Sequence, residues 1–193
     1  KSVVPRGFAR FLGKMAELTD SGIEIHYFTG NHDVWTFGYL EREIGLIVHR
    51  GNETINIHGK KFFLAHGDGL FVDDKGFKLI RSIFHCKICQ KMFQWIPPDI
   101  GQNFGYTWSK NNRLKIRDIE NKYQGEENET LVIFAKNYVK SHEVDFLIFG
   151  HRHIELDLQL KNQSRIIILG DFVGIFSYGI FDGENFWLET DSE

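Results

Sequence analysis

Three apolar runs in this chain end alike, in glycine and histidine: "HYFTGNHD" at 26–33, "KFFLAHGDG" at 61–69 and "DFLIFGHRH" at 145–153. A short apolar run bounded by turn residues reads as a strand. In α/β sheets the rim beyond the strand ends is where ligands bind. Three such ends restrict the chain to folds in which separate strands carry polar loops to a rim. One histidine at a strand end is more often a hydrogen-bonded turn residue than a ligand. Three histidine-bearing ends in one chain point instead to a metal.

The flanking segments fit an α/β fold. The spacing predicts a helix from about Gly7 to Asp20, with Phe8, Phe11, Leu12, Met15 and Leu18 on one side and Gly22 as its stop. "IEIHYFTG" is expected as a mostly apolar, buried strand. Two or three strands follow up to "KFFLAHG". From about residue 71 to 142 the character changes to a helical block, interrupted by Pro97 and Pro98. "ELDLQL", "SRIIILGDF" and "SYGIFDGENFWLE" read as antiparallel strands, with a hairpin turn at Asp182-Gly183. The expectation is a single domain over 1–193 with a helical insertion at about 71–142.

Composition narrows the function. Lys and Arg number 23 against 26 Asp and Glu, a formal charge of −3, so nothing global predicts a nucleic-acid partner. No apolar run is long enough to span a bilayer as a helix, and no signal peptide is visible. Two cysteines, Cys86 and Cys89, are expected to stay reduced in a soluble protein of a reducing compartment. The chain begins at Lys1, not Met, and a segment before Lys1 is expected.

Imidazole is the commonest metal ligand at neutral pH. An Asn oxygen beside it suits Mn²⁺ or Fe better than a closed Zn site. His151 and His153, two residues apart, face the same way if extended and splay towards neighbouring ions at a turn.

"GNHD" at 30–33, "HGD" at 66–68 and "GHRH" at 150–153 resemble, in order, the last three motifs of the calcineurin-like metallophosphoesterase superfamily. Its first two, Asp-x-His and Gly-Asp, have no match before residue 30. They are expected on an N-terminal segment absent here. "IIILGD" at 166–171 imitates the second but follows "GHRH", so Asp171 is read as a turn residue. The resemblance implies an α/β fold, the four-layer α/β/β/α sandwich, with the insertion as a lid. It also implies two divalent metal ions, Mn²⁺ first with Fe or Zn as alternatives. Asn31, His66 and His151 would hold one ion and His153 the other. His32 would act in catalysis, stabilising charge or protonating the leaving oxygen. Asp33 would orient His32 or its loop.

"GNHDVW", "HGDGLFVDD" and "FGHRHIELDL" are further similar to the UDP-2,3-diacylglucosamine hydrolases of lipid A biosynthesis. That likeness implies cleavage of a lipid-linked nucleotide sugar to UMP and 2,3-diacylglucosamine 1-phosphate. It makes Asn31, His32, Asp74 and His151 substrate contacts. It places the protein in the cytoplasm, peripheral on the inner face of the inner membrane. The helical block is apolar and basic together: Ile88, Met92 and Trp95 lie among Lys87 and Lys91. It reads as a cover for acyl chains or a contact with an anionic membrane surface, with a core helix bearing a solvated basic face as the alternative. Two other functions stay open: a phosphoesterase acting on soluble nucleotides, and a protein-binding relative without catalysis.

Overall fold

The computed structural model describes residues 4, 7–33, 35–70, 82–84, 86–97, 100, 101, 103, 105, 107 and 122–191. The chain forms two compact units: Lys1–Arg50 with Asp73–Lys115, and Gly51–Val72 with Ile116–Glu193. The proposed substrate contact Asp74 lies outside the described residues.

In the first unit, helix α1 spans Ala9–Asp20. It stops where the sequence predicts. Gly22 takes φ 88°, and two bonds close the end, Gly22 N–H to the Thr19 carbonyl and Ile23 N–H to that of Leu18. This pairing satisfies carbonyls that a helix end leaves open. Strand β1 (His26–Phe28) pairs in parallel with β2 (Ile47–His49), and helix α2 (Tyr39–Glu43) lies between them in sequence. The expectation of a buried first strand is corrected. β1 is three residues long, His26 is exposed, and Tyr27 and Phe28 are half-buried. Its apolar character is spent on a two-stranded pair, which covers less than a central strand of a wide sheet. At the start of α1, the N-cap residue Phe8 and Phe11 are likewise more than half exposed.

Helix α3 (Lys87–Gln94) comes from the apolar, basic block. Trp35, two residues past "GNHD", holds it from inside the same unit. The indole N–H donates to the Phe84 carbonyl at 2.6 Å, and the ring meets Phe93 at 4.6 Å. Cys86 caps α3, and both cysteines are free thiols.

The second unit is built on a mixed five-stranded sheet in the order β3-β4-β5-β7-β6. These strands are Glu53–Ile57, Lys60–Ala65, Phe146–Phe149, Arg165–Leu169 and, for β6, Glu155–Gln159. The inner three are parallel and the two edges antiparallel. Side chains alternate between faces. Phe63, Ala65, Leu147, Phe149, Ile166 and Ile168 therefore share one face, where Leu131, Val132 and Ala135 of helix α4 (Thr130–Tyr138) cover them. Phe62, Phe146 and Ile167 share the other, against Phe186 of the hairpin β8 (Ser177–Phe181) and β9 (Phe186–Thr190). Helix, sheet and hairpin give α, β and β layers. Each fully buried Phe or Ile contributes about 1.5–3 kcal/mol. The last hairpin turns where expected, with the Asp182 carboxylate accepting from Glu184 and Asn185 N–H.

Candidate active site

The parallel register decides where the second unit's histidines go. Ala65 pairs with Phe149, and Phe149 with Ile168. β4, β5 and β7 therefore end side by side, and the residues just past them leave from one edge: His66, Gly150-His151 and Gly170-Asp171. Gly150 N–H donates to the His66 carbonyl at 3.0 Å, continuing the strand pairing into the loops. The two imidazoles meet edge to face with centroids 5.3 Å apart. His151 adopts φ 63°, the left-handed region that a non-glycine residue rarely enters. Such outliers persist where the surroundings over-determine them.

Burial pushes the His151 imidazole down to about 4, and the neighbouring His66 adds to the shift. The ring is therefore neutral at physiological pH, with a lone pair free for a cation. Two imidazoles in contact suit a divalent cation for the same reason: together they cannot both carry protons without repulsion. Among the described residues no group of three His, Cys, Asp or Glu side chains is close enough to hold an ion. What the second unit brings together is pairs.

The shift has a consequence for stability. Folded, His151 binds its proton more weakly than it does unfolded, so protonation favours the unfolded chain. In metal-free protein, stability is expected to be full above pH 6.5 and to fall as pH drops towards 4. The slope is at most about 1.4 kcal/mol per pH unit. Urea unfolding across this range measures it, and His151→Gln should flatten the fall.

The second pair is His153 and Asp171, Nδ1 to Oδ2 at 3.4 Å. Asp171 is the turn residue that the sequence suggests: its Oδ1 accepts from the N–H groups of Val173, Gly174 and Ile175. Burial works against its charge, but those N–H groups prevail and hold the carboxyl below its ordinary range. Its contact with His153 is not legible locally. The one signal was that "LGD" repeats the pattern of an apolar run ending in a polar loop.

Gly67 explains the glycine in "HGD". Its φ is +114°, and a Cβ there would lie 3.2 Å from both His151 Cβ and Leu131 Cδ2. Gly67→Ala is expected to destabilise the protein by about 1–3 kcal/mol, read as a lower urea midpoint. An unchanged midpoint would show that the loop accommodates a methyl group.

Asn31, His32 and Asp33 lie in the first unit. Asp33 closes the loop on itself, with Oδ1 accepting from Gly30 N–H at 2.6 Å and Oδ2 from the Tyr27 hydroxyl. Burial, then Asp33, raises the Tyr27 hydroxyl above its ordinary range, so it stays a donor. Sequence reasoning missed Tyr27, although a Tyr six residues before an Asp carries no local signal. Asn31 is half-buried and His32 exposed, so the loop holds its Asp inward and leaves its His reachable.

No protein-family model matches the chain. A curated UDP-2,3-diacylglucosamine hydrolase of Porphyromonas gingivalis is 40% identical over 97% of this chain and 76% of its own length. One of Neisseria gonorrhoeae is 25% identical over 82% of this chain and 64% of its own. This chain thus spans a little under two thirds of the second relative. Among solved structures, a Thermotoga maritima protein aligns over 93% of this chain and 73% of its own at 17% identity, with a TM-score of 0.38. At 40% identity over three quarters of the first relative, the chain belongs to the UDP-2,3-diacylglucosamine hydrolase family.

Proposed function

We propose that the protein hydrolyses the pyrophosphate bond of UDP-2,3-diacylglucosamine, giving UMP and 2,3-diacylglucosamine 1-phosphate. The observation that carries this is the likeness to the Porphyromonas gingivalis enzyme along nearly the whole chain. His66, His151 and Asn31 hold one divalent ion in this reading, and His153 helps to hold a second. Mn²⁺ is the ion that an Asn oxygen among imidazoles fits best. Bound there, the metals supply Lewis acidity and a water of lowered pKa for attack on phosphorus. His151 remains neutral, and both imidazoles are fixed by the strand ends. His32 meets the phosphate or gives its proton to the leaving oxygen, and Asp33 keeps its loop in place. Asp74 contacts the substrate.

The helical block acts as a lid over acyl chains and as a contact with the membrane surface. On α3 and at its C-terminal cap, Ile88, Met92 and Trp95 are 70%, 68% and 90% exposed, beside Lys87 and Lys91. An exposed apolar stripe with lysines suits an anionic bilayer. No described helix is long and apolar enough to cross a membrane. The protein works on the cytoplasmic face of the inner membrane in this reading, and nucleic acid is not a partner.

Incubating the full-length protein with UDP-2,3-diacylglucosamine and Mn²⁺ tests the proposal by release of UMP. Equal turnover of an unacylated UDP-sugar would move the assignment to soluble nucleotides. No turnover of either would leave the binding relative.

A further inference from the structure

Glu129 is the charged side chain with no exposure at all among the described residues. It caps α4 by position, yet its carboxylate makes no cap hydrogen bond. Its Oε2 lies 3.2 Å from the Arg152 guanidinium, and neither carboxylate oxygen completes a hydrogen bond. A buried carboxylate this poorly matched is costly, and the pair is a weak device for stability. Its placement suggests another use.

Arg152 stands between His151 and His153 in "GHRH". Its side chain is 13% exposed and points inward, where Nη2 also donates to the Lys122 carbonyl at 2.8 Å. Its backbone N–H turns back to the Gly150 carbonyl at 2.7 Å, around the left-handed His151. A strained turn needs anchors on both sides. Gly150 supplies one through the His66 carbonyl, and Arg152 supplies the other through α4.

We propose that Glu129, acting through Arg152, is a positioning residue that clamps the His151–His153 loop so that both imidazoles keep their aim at the metal. This rests on the reading of His151 and His153 as ligands. The clamp joins the N-terminus of a core helix to the loop, so the core's rigidity is passed to the ligands. Outer partners of metal ligands act in this way.

The test uses full-length protein, freed of metal and titrated with Mn²⁺. Glu129→Gln is expected to weaken Mn²⁺ binding about 10–100-fold, while kcat recovers at saturating Mn²⁺ and KM for the nucleotide sugar stays unchanged. The double variant Glu129→Gln/Arg152→Met leaves no charge buried alone, so its unfolding midpoint returns towards the wild-type value. Its Mn²⁺ binding stays weak, because nothing clamps the loop. A merely structural pair predicts the opposite, recovery of midpoint and affinity together, and that result overturns the proposal. If Glu129→Gln does not fold, Arg152→Lys keeps the charge but loses the planar fork. It is then expected to weaken Mn²⁺ binding about 10-fold, and unchanged affinity overturns the clamp. A wild-type protein that binds no Mn²⁺ overturns the ligand assignment itself, and the clamp with it. Wild-type binding with unchanged affinity in Glu129→Gln overturns the clamp alone.

Discussion

Alanine at His66 is expected to remove bound metal and turnover together. His66 leaves the end of β4, its carbonyl is held by Gly150 N–H, and its ring meets His151 at 5.3 Å between centroids. Its backbone bond survives the substitution, so the loop keeps its course and loses only an imidazole. The loss in metal affinity should exceed the roughly 100-fold that removal of an outer partner can cost. Metal content after dialysis, measured beside kcat, checks this. Full metal content in His66→Ala would make His66 an ordinary turn residue.

His32→Ala should behave differently. Turnover is expected to fall by about 10²–10⁴, the range of a positioned acid or base, with metal content nearly intact. The reason is local. Asp33 and Tyr27 hold the loop shut on its inner side, while His32 is exposed and makes none of those bonds. Removing its ring leaves the loop standing. Equal metal loss in His32→Ala and His66→Ala would overturn the separation of roles, because it would make both residues ligands or both scaffold.

Much of the local structure was legible. Gly22 announced the end of α1, Asp182-Gly183 the last hairpin, and the apolar runs "KFFLA" and "RIIIL" two strands of the sheet. These follow from backbone rules that act within a few residues. The first strand was overread: an apolar run reports that surface must be covered, not how much covering a short parallel pair provides. In the site, "HGD" and "GHRH" pointed to histidines that do meet. The contact of His153 with Asp171, and of Arg152 with Glu129, depends on which strands and helices lie beside each other, 18 and 23 positions apart in sequence.

From the sequence alone came the strand ends, the residue types placed on them and the family likeness, because periodicity, turn chemistry and motif order are local properties of a chain. The order β4-β5-β7, the left-handed His151 that it brings against His66, and the buried carboxylate behind Arg152 came from the tertiary structure. Parallel neighbours are joined by long crossovers. Their pairing is settled by burying both faces of the sheet at once, which no short stretch of residues encodes.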